Sequence, residues 1–344
     1  MTVVADLQSD GILRLGGMKS GFRYRLARGG TPGRRQLDRI STLRIPPAWR
    51  SVAIDVKQDA WIQAVGQDKA GRWQYLYHQR AVVRRERRKH GRLVAFARKL
   101  PQLRAQVSRD LARKDYGRER VLACMLRILS ICFLRPGSEE YASENGSFGI
   151  ATLRTRHVEV RGSLVRLTFN GKSGKGHVYE FRDRRIASVM RALLKAGGRR
   201  VFTFQDATTF EWKEVRREHI NAYIKESLGG AFSAKDFRTW AGTITCACAL
   251  ARIGVDATDS PTAIKRKVVA AVKETAETLG NTPAVCRASY ISPAVIRAFE
   301  AGRVIRHPVV AVSDLATSRG RLHHCERSLL RVLEEFGTST TKRG

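Results

Sequence analysis

The stretch HVEVRGSLVRLTFNGKSGKGHVYEF, residues 157–181, interrupts a sequence that otherwise reads as mainly helical from residue 101 onward. Its apolar residues Val165, Leu167 and Phe169 alternate with polar ones, the two-residue period of a strand with one buried face. Gly-rich segments separate the alternating runs, so the spacing predicts a three-stranded meander or hairpin set, with NGKSGKG (Asn170 to Gly176) as an exposed loop. On both sides the period changes. RERVLACMLRILSICFL (Arg118 to Leu134) puts Val121, Met125, Ile128 or Leu129, and Cys132 on one stripe, as in a core-facing helix, and helices resume from about Arg184.

Residues 1–80 read differently. GFRY, SVAIDV, WIQAVG and WQYLYH are short, rich in aromatic and β-branched residues, and separated by Gly, Pro and Asp, while IPPAW (Ile45 to Trp49) is a rigid turn. The run RRERRKHGR (Arg84 to Arg92) then breaks the composition; an interdomain helix or linker over 81–100 with a solvated basic face fits it, and so does a role in solubility alone. The expected fold class is α+β. A small N-terminal antiparallel β-rich domain (1–80) precedes the basic linker and a larger, mainly α-helical domain (101–344) with an embedded β-hairpin or meander. Trp49, Trp61, Trp73 and Trp240 are expected in the core, and the terminal TSTTKRG is expected to be disordered.

Composition bounds the function. Across 344 residues, 64 Lys and Arg face 31 Asp and Glu, a net charge of +33, while 43% hydrophobic residues provide ample core. Such an excess repels itself in the folded state and points to a polyanionic partner, nucleic acid before an anionic membrane surface. No apolar run approaches the roughly 20 residues that span a bilayer, and MTVVADLQSDGILRL lacks the order of a signal peptide. The six cysteines lie mostly within apolar helical patterns, as reduced, buried thiols of a cytoplasmic protein do. Neither Cys246-Ala-Cys248 nor His323-His324-Cys325 has metal-site spacing, and NGKSGKG lacks the preceding glycine of a nucleotide-binding loop.

The chemistry gathers in four places. FLRPGSEEY sets Arg135 after an apolar helix at a Pro-Gly turn, GKSGK sets Lys172 and Lys175 at a hairpin tip, and SAKDFRTWAGT sets Lys235 and Arg238 one helical turn apart. In LGNTPAVCRASYISP (Leu279 to Pro293), Gly280 ends a helix begun at Ser260-Pro261, and Thr282-Pro283 and Ser292-Pro293 begin two more. Asn281 and Tyr290 are thereby pinned at helix boundaries. Arginine forks match phosphate oxygens, a lysine can protonate a leaving oxygen, and a tyrosine hydroxyl, with an ordinary pKa of about 10, becomes a usable nucleophile in a positive field.

RPGSEEYASENGSFGIATLR, FNGKSGK, AKDFRTWAGT and LGNTPAVCRASYISP, in that order, resemble the small type IB DNA topoisomerases of bacteria and poxviruses; LRIPPAW and IQAVGQDKAGRWQYLYH resemble their β domain. The resemblance runs from about Gly21 to Gly302. It implies that Tyr290 is the nucleophile forming a 3′-phosphotyrosyl link, that Arg135 and Arg238 bind the scissile phosphate, and that Lys172 is the general acid for the 5′-oxygen. It implies further that Lys235 assists that acid, with Lys175 as the alternative tip lysine, and that Gln74, Tyr75, Tyr77 and Tyr141 touch DNA. Asn281 stands where many members have histidine and is assigned to phosphate stabilisation. Pro136, Ser138 and Ser292 also depart from the common pattern, which bears on DNA contacts and rate. The implied activity is relaxation of supercoiled double-stranded DNA by a monomer in the cytoplasm, at the nucleoid, with no cofactor, ATP or metal, and with the two domains closing on DNA as a clamp. The competing readings are a tyrosine recombinase, for which Lys235-Asp-Phe-Arg238 replaces the expected His-x-x-Arg, and a non-catalytic DNA-binding protein.

Overall fold

The computed structural model describes residues 2–230, 232–317 and 321–337; the terminal TSTTKRG lies outside them. The chain divides into two compact units between Lys89 and His90. In the first, one antiparallel sheet has the order β2-β1-β3-β4-β5, with β1 at Ile12–Gly17, β2 at Gly21–Leu26, β3 at Arg50–Ile54, β4 at Ile62–Gln67 and β5 at Trp73–Tyr77. Two helices, α1 (Val3–Asp10) and α2 (Arg34–Thr42), contribute Leu7 and Ile40 to separate apolar clusters. Ile12, Val52, Ile54 and Ala64 join Ile40, whereas Ala53 and Val65 join Leu7. Adjacent residues of β3 and β4 thus point to opposite clusters, and burial on both faces erases the polar alternation of a half-exposed strand. Sequence periodicity did not mark α1, α2 or β1, since each helix buries one side chain only.

Trp49 and Trp73 pack against these clusters, but Trp61 does not: it is 54% exposed just ahead of β4, under the Arg84 guanidinium at 5.4 Å. A cation on its face takes the place of an apolar neighbour. This corrects the expectation of a core Trp61.

The helix α3 (Gln79–Asp110) contains the division between the units. Arg84 to Arg88 are exposed, and its buried positions begin at Leu93. In the second unit, α4 (Arg118–Cys132) and α5 (Glu139–Glu144) lead into the meander β6 (Val158–Arg161), β7 (Leu164–Asn170) and β8 (Gly176–Arg182). The β7–β8 register pairs Phe169 with His177 and Asn170 with Gly176. Then come α6 (Arg184–Ala196), a short hairpin of β9 (Thr203–Gln205) and β10 (Trp212–Glu214), α7 (Arg217–Leu228) and α8 (Ala234–Ile253). The β9–β10 hairpin lies in a stretch expected to be helical; three-residue strands carry too little period to read. Last are α9 (Pro261–Leu279), α10 (Pro283–Ser289), α11 (Pro293–Glu300) and α12 (His324–Phe336).

At the centre is α8, buried at every position from Asp236 to Leu250 and packed on α4, α7, α9, α11 and α12. A helix enclosed on all sides needs its polar groups paired. Asp236 accepts from Arg92 Nε at 2.6 Å and from the Ser233 N–H at 2.8 Å, capping the helix it belongs to. Glu326 of α12, wholly buried, accepts from Arg104 Nη1 at 2.8 Å and Nη2 at 2.7 Å. All six cysteines are free and buried.

Candidate active site

Arg238 sits in the second turn of α8 and is 4% exposed. Its Nη1 donates to the Phe133 carbonyl and its Nη2 to the Leu279 carbonyl, the latter at 2.9 Å. Phe133 is the left-handed cap of α4 (φ 52°) and Leu279 is the last residue of α9. The guanidinium therefore bridges two helix C-termini, where carbonyls are unpaired and the macrodipole favours a cation. The partners are backbone dipoles, not a carboxylate, so the full positive charge is still available to an anion. Arg238 Nε is buried with no hydrogen-bond partner among the described residues.

Just beyond the α4 cap, Arg135 is held by its own backbone. The Ile150 N–H donates to its carbonyl and the Ala151 N–H to that of Pro136, both at 2.9 Å. Gly137 (φ +83°) passes so close to Gly149 that a Cβ on Gly149 would lie 2.4 Å from the Gly137 nitrogen. The Pro136 and Ser138 departures are absorbed here: Pro136 supplies an acceptor, and Ser138 caps α5. The Arg135 Nη2 donates to Asn281 Oδ1. Burial first, and the charge of Arg238 second, lower the Arg135 pKa; neither guanidinium is paired with a carboxylate among the described residues.

Asn281 follows the left-handed cap Gly280 (φ +62°), and its N–H closes the helix end on the Ala276 carbonyl at 2.9 Å. With Oδ1 taken by Arg135, its Nδ2 is buried without a partner among the described residues. Tyr290 caps α10, its N–H on the Cys286 carbonyl at 2.9 Å, and the Arg238 Cζ lies 5.1 Å from its ring centroid. Underneath is Gly242: a Cβ there would come within 2.9 Å of both the Tyr290 Cβ and its carbonyl oxygen. The neighbouring Thr243 hydroxyl donates to the Thr239 carbonyl at 2.8 Å, accepts from the Ser292 N–H at 3.2 Å, and lies 3.1 Å from the Tyr290 carbonyl. A missing side chain and one hydroxyl thus seat the Tyr290 backbone on α8. Burial pushes the adjacent Cys286 thiol up to about 11, which keeps it protonated at neutral pH.

The matching family models fall on this architecture. The catalytic core of eukaryotic DNA topoisomerase I matches residues 78–300, and the N-terminal domain of bacterial DNA topoisomerase IB matches residues 21–68. The chain belongs to the type IB DNA topoisomerases. It is 33% identical over 261 residues to the DNA topoisomerase 1B of Acanthamoeba polyphaga mimivirus, covering 75% of this chain and 78% of that protein. It is 23% identical over 249 residues to the DNA topoisomerase 1B of Vaccinia virus (strain Copenhagen), covering 70% of this chain and 75% of that one. The α+β architecture, with an N-terminal antiparallel sheet and a mainly helical core, is that of this family.

In this family member, Arg135, Arg238, Asn281 and Tyr290 come together from four segments. Lys172 and Lys175 are exposed on the tip between β7 and β8, where Lys172–Gly174 form a short 3-10 turn, and Lys235 is exposed one turn before Arg238. Tyr141 is 59% exposed on α5. On β5, Tyr75 and Tyr77 are both exposed with ring centroids 6.3 Å apart, while Gln74 points to the other face and donates to Asp68 Oδ2 at 3.0 Å. No described helix is long and apolar enough to cross a membrane.

Sequence reasoning missed Gly242, Thr243 and His177. The first two stand inside AKDFRTWAGT and carry no chemical signal of their own. His177 alternates with Tyr179 on β8 and shares the face of Phe169, with centroid separations of 5.6 Å to each ring. That alternation was readable, but not what it faces.

Proposed function

We propose that this enzyme relaxes supercoiled duplex DNA by cutting and rejoining one strand through a covalent tyrosyl intermediate. The observation that carries the reading is the unfilled set of donors between α8, α4 and α9: a buried Arg238 whose hydrogen bonds go to carbonyls and whose Nε has no partner, an Arg135 crowded by it, and an Asn281 amide with no acceptor, all among the described residues. Each unsatisfied buried donor costs about 1–3 kcal/mol, and a phosphate diester would satisfy them together. A net charge of +33 supports a polyanion as the ligand.

In this reading the Tyr290 Oη attacks the scissile phosphorus and its proton leaves to water. Arg135 and Arg238 stabilise the charge building on the nonbridging oxygens, and Asn281 Nδ2 adds a neutral hydrogen bond. The bond to the 5′-oxygen breaks, with Lys172 supplying the proton and Lys235 assisting it. The strand rotates, and the 5′-hydroxyl then attacks the 3′-phosphotyrosine to restore the diester and the free phenol. The energy of the original bond is held in the new one, so no nucleotide hydrolysis is needed, and the charges of Arg135, Arg238 and Lys172 take the place that a divalent ion would otherwise fill. Gln74, Tyr75, Tyr77, Tyr141 and Lys175 are assigned to DNA contact.

The test is relaxation of supercoiled plasmid in EDTA without ATP. The native enzyme is expected to relax it and to leave a covalent adduct on the Tyr290 peptide; Tyr290→Phe should do neither. Relaxation by the Phe variant, or site-specific strand exchange between duplexes, would overturn the reading.

A further inference from the structure

One side chain in the catalytic unit touches two of the segments that carry assigned catalytic groups. The His177 ring lies against Gly171, where an added Cβ would sit 2.5 Å from its Cδ2 and Nε2, and against Gly280, where a Cβ would sit 2.8 Å from its Cε1. Lys172 follows the first glycine and Asn281 the second. We propose that His177 is a positioning residue: its ring is the spacer that sets the Lys172-bearing hairpin tip against the end of α9.

The two sides of this contact differ in stiffness. The α9 end is closed by its own backbone, Gly280 N–H on Glu277 O at 3.1 Å and Asn281 N–H on Ala276 O at 2.9 Å. The tip is closed on itself by Gly171 N–H on Lys175 O at 2.8 Å and Gly174 N–H on Gly171 O at 3.1 Å, and tied at its base by the Phe148 N–H on the Asn170 carbonyl at 2.8 Å, bonds that hold its shape and root but not the direction of its Lys172 end. Direction comes from what the tip leans on. The ring is held in place from its own strand and the next, by Tyr179 OH 3.2 Å from its Nδ1 and by the rings of Phe169 and Tyr179 at 5.6 Å. Glycine on both sides means that neither segment brings a side chain of its own into the gap if the ring is removed. Burial, then the charges of Arg135, Lys175 and Arg238, lower the His177 pKa, so the spacer is neutral at pH 7 and adds no repulsion to the site.

The inference rests on Lys172 being the general acid, and the experiment separates the two. Single-turnover cleavage is measured on a duplex with the ordinary 5′-oxygen and on one with sulfur at the scissile bridging position. A thiolate leaves without protonation, so a defect in acid delivery vanishes on sulfur. Lys172→Ala should be slow on oxygen and restored on sulfur; a wild-type oxygen rate there would remove the acid assignment itself. With Lys172→Ala behaving as stated, His177→Ala should cleave oxygen about 10- to 100-fold more slowly, the scale of an ångström-sized misplacement, and recover on sulfur. His177→Phe, which restores a flat ring without nitrogens, should regain most of the oxygen rate. Three results would overturn the proposal: an undiminished His177→Ala, a loss equal on oxygen and sulfur, or a His177→Phe as slow as His177→Ala.

Discussion

Gly242→Ala isolates the seating of the nucleophile from its chemistry. The added methyl carbon would stand 2.9 Å from both the Cβ and the carbonyl oxygen of Tyr290, and 3.0 Å from Leu279 Cδ1. Carbon contacts settle at roughly 3.5–4.0 Å, so Tyr290 must retreat by roughly 0.6–1 Å; its contacting atoms are backbone or Cβ and cannot rotate away. Overpacking of this kind costs about 1–3 kcal/mol, but alanine in a helix interior returns about 1 kcal/mol relative to glycine. The net loss of stability is about 0–2 kcal/mol, which a domain with an ordinary margin of about 5–15 kcal/mol survives. An error of about 1 Å at a reacting atom costs about 100-fold in rate, or about 2.7 kcal/mol of barrier. The rate effect therefore exceeds the stability effect. We expect Gly242→Ala to melt within a few degrees of the native enzyme and to form the covalent adduct about 100-fold more slowly in single-turnover cleavage. A folded Gly242→Ala enzyme with a native cleavage rate would refute the argument that this close approach sets the position of Tyr290.

Three further outcomes follow from the site and the core. Asn281→Asp places a carboxylate on Arg135 at nearly constant shape, so melting should hold or rise while cleavage falls by more than the roughly 100-fold expected for loss of one donor in Asn281→Ala; equal activity of Asp and Asn would contradict the anion-receptor reading. Burial holds the pKa of His90, His157, His177 and His219 below the ordinary 6.5. The unfolded chain then takes up protons first, so stability is full above about pH 6.5 and declines as pH falls below it, and melting curves at constant ionic strength should show the midpoint dropping between pH 7.5 and 5.5. The six cysteines are buried, with Cys286 pushed up to about 11, so iodoacetamide at pH 8 should leave relaxation intact and alkylate only denatured protein; rapid inactivation would show the Tyr290 segment opening.

Much of the site was legible because its placement is local. A Ser-Pro start and a Gly stop bound α9, Thr282-Pro283 starts α10, and these caps put Asn281 and Tyr290 at helix ends with no knowledge of the rest of the chain. The meander was legible for the same reason, since strand periodicity is written in neighbours. Trp61 was misread because a large aromatic beside a strand looks alike whether it meets apolar side chains or Arg84. His177 was passed over because Gly280, which it touches, is far along the chain.

By itself, the sequence determined the longer periodic elements and their order, the α+β class and the residue types available to the site, all governed by interactions within a few positions of each other, but not α1, α2, β1 or the β9–β10 hairpin. The tertiary structure alone decided that Arg238 bridges the ends of α4 and α9, that the Asn281 oxygen accepts from Arg135 while its amide has no partner among the described residues, and that Gly242 makes room for Tyr290. Desolvation and unpaired donors arise only when distant segments exclude water from one another, so no local pattern can encode them.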